Sequence, residues 1–234
     1  MSDTGYRTHA ILTAISWMAI WLAVPRPVPL LAFTVGVIGA TVIVALGLEA
    51  ARRLGKGAPL LSGRVPPAAA GRLLLSALAL GAILGGVLLF VLIYAARFEP
   101  ALAARLRARA GAPLWMPFVL ALESSILEEL FFRLFLMSGL VWLFSRAWRN
   151  PPGDHAPNIG MALFLSSFAF AAAHVPAWLA ATHANVPLIG GVLALNGLAG
   201  LVLGILYWRK GIEAAIFAHF AADVIVQALG PRLL

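Results

Sequence analysis

Glu128 and Glu129 stand side by side in the middle of a long apolar stretch, and Arg133 follows four residues later. His174 lies in a second apolar stretch; His219 and Asp223, again four apart, lie in a third. On a helix, residues four apart share a face. An acid four positions before a base is the favourable order for an ion pair, so Glu129 and Arg133 read as partners. Glu128, turned about 100° around the helix, then faces elsewhere. Asp223 is placed to accept from an imidazole N–H of His219 and so fix its tautomer, and Phe170 sits one turn before His174. Carboxylates and imidazoles together are the side chains of general acid–base chemistry. With three acids against one arginine and two neutral histidines, the least costly state of the cluster has a proton bound within it.

These groups occupy segments that otherwise suit lipid. A charged side chain near mid-bilayer costs ~2.5–3.5 kcal/mol, so Glu128, Glu129, Arg133, His174, His219 and Asp223 left unpaired would together cost about 15 kcal/mol. They are tolerable if they converge and satisfy one another, or if they line a wet cavity. Glu123, a turn or more before the pair, is a further candidate member.

The elements that position them are set by composition. Of 234 residues 62% are hydrophobic and 11% charged, against about half and a quarter in a soluble domain. A bilayer accommodates that much apolar surface, and a soluble fold of this length does not. Candidate spans run over Ala10–Val24, which is short, and over Val28–Ala50, Leu73–Ala96, Pro113–Trp148, Ile159–Thr182, Val186–Trp208 and Ile212–Leu229. The first resembles a signal peptide in its length and in Arg7 before it, but Trp17 and Trp21 and the lack of an Ala-x-Ala site favour a retained span. Pro113–Trp148 is either one long tilted helix or a broken pair. Phe98–Ala110, with Arg105, Arg107 and Arg109 among Leu and Ala, reads as a surface-lying segment.

The expected fold is therefore an all-α polytopic bundle of about seven or eight transmembrane helices around a polar intramembrane cavity. It forms one membrane domain over 1–234, with motif-free spans in 10–110 and the chemistry in 113–230. Gly81 and Gly85, and likewise Gly200 and Gly204, have the small-xxx-small spacing of close helix packing.

The net charge is +8, and the basic residues flank apolar segments as a topology signal does; their partners are lipid headgroups, not nucleic acid. The 52–72 loop, Arg146 with Arg149, and Arg209 with Lys210 favour a cytoplasmic N-terminus, and the arginines at 97–109 fit that orientation poorly. The absence of cysteine excludes disulfides, thiolate nucleophiles and thiolate metal sites. His9, His155 and His183 lie near segment ends, where solvated or interfacial roles are expected.

Glu128-Glu129-Leu130-Phe131-Phe132-Arg133 reads EExxxR, Phe170 to His174 reads FxxxH, and His219 to Asp223 reads HxxxD. In this order, each within its own apolar segment, they resemble the CPBP family of intramembrane proteases. That family comprises the type II CAAX prenyl endopeptidases and bacterial relatives that include bacteriocin-processing and self-immunity proteins. The resemblance covers about 115–225. It implies a polar cavity open to the cytoplasm in which Glu128, as general base, and His174 activate a water for attack on a peptide carbonyl. It further implies a structural ion pair of Glu129 with Arg133, and His219 with residue 223 at the oxyanion. An ionised Asp cannot donate to an oxyanion, so Asp223 either holds a proton or orients His219 as the donor.

The implied protein is an intramembrane glutamate-type endopeptidase without a cofactor. Its substrate is a peptide or membrane-protein terminus arriving through lipid, and its setting is a bacterial cytoplasmic (inner) membrane. The alternatives are zinc held by Glu128, His174 and His219, although no HExxH helix is present; a non-catalytic scaffold or immunity protein of the same fold; and a proton-coupled transporter, for which inverted halves would be expected and none is found. A serine mechanism through Ser124, Ser125, Ser166 or Ser167 is disfavoured. Ser167 and His174 share one helix face and do not give cross-helix nucleophile–base geometry.

Overall fold

The structure, a computed structural model, describes residues 3–23, 29–149, 155–181 and 185–233. Pro25-Arg26-Pro27, most of the 150–155 loop, Thr182 and His183 lie outside the described residues. Among those described, all regular structure is helical, as a chain with this composition requires: in hydrocarbon the backbone must satisfy its own hydrogen bonds.

The elements are α1 (Asp3–Ala23), α2 (Leu30–Arg53), α3 (Pro67–Ala95), the short α4 (Pro100–Arg107), α5 (Met116–Glu128), a π-helical segment (Glu129–Met137), α6 (Ser138–Ala147), α7 (Ala156–Ala181), α8 (Val186–Lys210) and α9 (Ile212–Leu229). A 3₁₀ turn, Gly230–Arg232, closes the described chain. Proline starts α3 and α4, where its missing N–H costs nothing. Asn185 caps α8 through its side-chain oxygen, which accepts from Leu188 N at 2.8 Å.

Five helices, α2, α3, α7, α8 and α9, are long and apolar enough to cross a membrane. Two further helical stretches of the expected bundle stand beside these five. The stretch Pro113–Trp148 holds one unbroken helical column, 116–147, whose middle winds as the π segment between α5 and α6. Helix α1 has 21 residues, but Arg7, His9 and its threonines dilute its apolar character. Both pack with the five. Leu12 and Ala19 of α1 share a core with Val44 of α2, with Ile126 and Leu134, and with Ala215 of α9. The arginine-rich α4 is too short to cross and tucks Leu102 and Ala103 against Ala96 and Leu188.

The polar interior faces away from lipid. Leu75, Ile83, Phe90 and Phe164 stay more than 60% exposed on the outside, an apolar coat that hydrocarbon covers. Inside, α9 is the central element, with α3, α5 and α8 packed on it. Two glycines bring α3 close: a Cβ on Gly81 would collide with the Ala218 backbone, and one on Gly85 with that of Ala222. Gly200 likewise admits Ser167 of α7 against α8. The small-residue spacings thus sit at real helix crossings, and those at Gly81 and Gly85 flank His219 and Asp223.

Gly81→Leu should separate α3 from α9 and lower the melting temperature in detergent, at a cost of at least the ~1–3 kcal/mol typical of overpacking. Gly86→Leu, where nothing lies within 4 Å of an added Cβ, should leave melting close to the parent. Equal melting of the two variants would show that the crossing does not need the glycine.

Candidate active site

The start of the π segment places the two adjacent acids in different environments. Glu129 is 0% exposed and Arg133 1%, with Arg133 Nη1 3.1 Å from Glu129 Oε1. The same Oε1 lies 2.9 Å from His219 Nδ1 of α9. One carboxylate oxygen thus joins α9 to the α5–α6 column. Arg133 also donates through Nη2 to the Gly200 carbonyl of α8 at 3.3 Å, and its guanidinium lies 4.3 Å from the centre of the Phe170 ring of α7. Four elements meet on this pair.

Phe170 is the apolar side of the junction. Its ring sits 4.8 Å from that of His174, 5.8 Å from that of His219 and 5.3 Å from that of Phe132. The two imidazoles are therefore held by packing as well as by hydrogen bonds. His174 Nδ1 lies 2.8 Å from the Phe170 carbonyl; a carbonyl only accepts, so Nδ1 carries the proton and Nε2 points away from the helix. Pro176, two residues on and inside α7, removes one helix hydrogen bond near this turn.

Glu128 faces the other way, into a cavity of about 370 Å³ that His174, His219, Asp223, Phe170 and Ser124 also line. Its Oε2 is 3.9 Å from His174 Nε2 and 3.8 Å from His219 Nε2. Both distances are too long for a direct hydrogen bond and suit one atom shared between the groups. The same Oε2 is buried and has no hydrogen-bond partner. An unpartnered buried carboxylate oxygen is costly, and it is aimed at two imidazole nitrogens across the cavity.

Asp223 does not hold His219 as its spacing suggests. Its Oδ1 stands 3.7 Å from His219 Nε2, beyond hydrogen-bond reach. Its Oδ2 accepts instead from Ser124 Oγ at 2.7 Å and Gln227 Nε2 at 3.1 Å. Glu129, 90 residues away in sequence, is what fixes the His219 tautomer. Ser124 and Gln227 were not among the expected site residues. Gln227 could have been found by its i,i+4 relation to Asp223; Ser124 could not, since it reaches Asp223 across two helices. The remaining serines lie away from the cluster's hydrogen bonds, and the buried Ser167 hydroxyl has no hydrogen-bond partner. Ser125 and Ser166 donate to Leu122 and Leu163 carbonyls, and Ser167 is buried against Gly200. His155 pairs with Asn158 at 3.1 Å.

Among the described residues, no three His, Asp or Glu side chains stand together closely enough to hold a metal ion.

A carboxylate and two imidazoles thus face one another in a cavity between helices of membrane-spanning length. Residues 110–225 match the family described as Type II CAAX prenyl endopeptidase Rce1-like. This stretch belongs to that family of CAAX-type membrane endopeptidases; Glu128, Glu129, Arg133, His174, His219 and Asp223 fall within it and Gln227 just beyond it. Neither a curated protein nor a solved structure gives a significant match to the chain.

Arg133→Met should leave Glu129 buried with one partner fewer and destabilise the protein by about 3–5 kcal/mol. Adding Glu129→Gln should recover much of that loss. Denaturant unfolding in detergent checks both, and a single variant as stable as the parent would show that the pair does not secure the junction.

Proposed function

We propose that the protein is a metal-independent intramembrane endopeptidase in which Glu128 and His174 activate a water held between them. The observation that carries this reading is the Glu128 Oε2 atom, buried, unpartnered and 3.8–3.9 Å from two imidazole Nε2 atoms. A water at that point accepts or donates to all three. Glu128 takes its proton while the oxygen attacks the peptide carbonyl, and the carbonyl π electrons move to oxygen. His219, held through Nδ1 by Glu129, offers an Nε2–H to that oxyanion when it is protonated. The proton on Glu128 then passes to the leaving amine nitrogen as the C–N bond breaks, giving a carboxyl group and an amine. A positioned general base contributes roughly 10²–10⁴-fold and a preorganised oxyanion donor roughly 10²–10³-fold.

Asp223 in this scheme accepts from Ser124 and Gln227 and presents its second oxygen toward His219. It acts as a nearby negative charge for the imidazolium and does not donate to the oxyanion. The Leu84, Leu88, Val192 and Leu195 wall of the same cavity suits an apolar substrate segment arriving from lipid.

With purified protein in detergent, a farnesylated CAAX peptide and a quenched peptide library, Glu128→Ala and His174→Ala should each lose at least about 10²-fold in hydrolysis. Asp223→Asn, which removes a nearby charge and no donor, should lose far less than either variant, and a strong chelator should have no effect. Chelator inhibition would transfer the same side chains to zinc. Full hydrolysis by Glu128→Ala would end the proposal, and tight peptide binding without cleavage by the wild type would favour a scaffold.

The orientation follows from charge. The 52–72 loop and Arg209 with Lys210 share one end of the bundle, whereas the cavity runs toward the other end, where Arg105 and Arg109 line it. A cytoplasmic N-terminus and a cavity open to the cytoplasm are therefore incompatible, because both basic clusters and the first residues of α1 lie away from the mouth. The basic excess favours the 52–72 end in the cytoplasm and the mouth on the opposite face. The chain lacks cysteine, so single cysteines report this directly. Ser62→Cys should react only with reagent on the cytoplasmic side and Ala110→Cys only on the other. The reverse pattern would turn the protein over.

A further inference from the structure

The end of the bundle away from the catalytic cavity holds a second concavity, which peptide hydrolysis does not use. It measures about 650 Å³, and Lys56, Arg64, Arg72, Arg209 and Lys210 line it with no acidic side chain among the described lining residues. These cations come from three places in the chain: the loop after α2, the start of α3 and the α8–α9 junction. The fold, not sequence proximity, collects them.

The pocket floor is built, not loose. Gly57 and Gly211 adopt φ of 118° and 95°, backbone that side chains resist. A Cβ on Gly211 would strike the Pro59 ring. Ile212 N donates to the Gly57 carbonyl at 3.0 Å, and the Glu213 carboxylate accepts from Leu60 N and Leu61 N at 2.9 and 3.0 Å. The loop is thereby stitched to the first turn of α9. Arg64 donates to Ser62 Oγ, Gly55 O and Lys56 O. A guanidinium has five N–H groups, so its plane is fixed with two still to give.

Topology alone does not require this arrangement. The positive-inside bias is met by basic residues anywhere along the loops, and gathering five of them round one concavity is unfavourable without a counter-charge. The same end of the protein shows the alternative. Arg52 and Arg53 are neutralised by Glu49, at 2.9 and 2.7 Å; in the pocket the Glu213 carboxylate under the floor offsets part of the Arg64 charge, whereas Lys56, Arg72, Arg209 and Lys210 have no acid beside them on the described wall. Lys56 lies 4.6 Å from the Trp208 ring and Arg53 5.3 Å from the Trp142 ring, and aromatic residues of this kind mark the level of lipid headgroups.

We infer that this pocket binds the phosphoryl group of an anionic ligand at headgroup depth. A fixed guanidinium fork and surrounding ammonium and guanidinium groups match phosphate oxygens. An anionic phospholipid and a free phosphate present that same chemistry, and basic pockets between spanning helices are a recognised setting for the former.

The test compares two charge-matched double variants of the full chain in zwitterionic detergent, R72Q/K210Q and R52Q/R53Q. All four side chains are exposed, so both variants should melt with the parent. Phosphatidylglycerol and phosphatidylcholine binding is titrated by native mass spectrometry, and inorganic phosphate by calorimetry. Phosphatidylglycerol should bind the parent in preference to phosphatidylcholine. R72Q/K210Q should weaken it at least tenfold, and R52Q/R53Q by less than twofold. Inorganic phosphate binding with the same variant dependence, in place of the lipid, would support the site and make its source soluble. Equal loss in both variants, equal binding of the two lipids, or no binding of either phosphoryl probe would overturn the inference.

Discussion

A single carboxylate with no exposure, Glu129, is the constraint from which the interior follows. An ionised acid cannot lie in that position unless positive charge and hydrogen-bond donors come to it. Arg133 supplies the charge from the same column, and His219 supplies a donor from α9, so the acid dictates how far apart those elements can sit. Arg133 in turn must satisfy its remaining N–H groups, which draws in the Gly200 carbonyl of α8 and the Phe170 face of α7. Removing water from the pair makes each of these contacts obligatory. The cluster is therefore buried around Glu129 and Arg133 and faces the cavity at Glu128 and the two Nε2 atoms.

Backbone geometry makes that division possible. Adjacent residues on any helix point in different directions, and the π segment begins at the boundary between the two glutamates. A π turn is wider than an α turn and often marks a functional site. Here it carries Glu129, Phe132 and Arg133 into the bundle while the preceding α5 leaves Glu128 and Ser124 on the cavity wall. The glycines of α3 complete the arrangement from the other side. By letting α9 approach at Ala218 and Ala222, they set His219 and Asp223 at the depth of the glutamates.

What could be read from sequence was what is encoded locally. Apolar length gave the membrane class, and i,i+4 spacing brought Glu129 to Arg133 and Phe170 to His174, because both partners lie on one helix. The same logic misplaced Asp223. Its spacing from His219 is right for contact, yet the Glu129 carboxylate approaches Nδ1 from another helix and fixes the ring so that Nε2 stops 3.7 Å short of Asp223. Cross-helix choices of this kind depend on rotation and depth, which spacing within a helix does not carry. The π segment was illegible for a related reason. Glu128 to Met137 contains no proline or glycine to announce an irregular backbone, and the partners of its side chains lie on α7, α8 and α9.

The two ends of the molecule use basic residues differently, and the difference has a physical logic. Near the mouth, Arg105 donates to the Ala177 carbonyl at 2.7 Å and stacks over Trp178 at 4.2 Å. It thereby closes the end of α7, where unpaired carbonyls attract a cation. Burial and the nearby Arg109 disfavour its charge, a cost set against those contacts. At the opposite end the cations keep their outward N–H groups and face a concavity instead of a helix terminus. Charge that is already satisfied by backbone and rings serves packing. Charge that is held in place but left with donors to give is available to bind, and in this chain it lies at the end remote from Glu128.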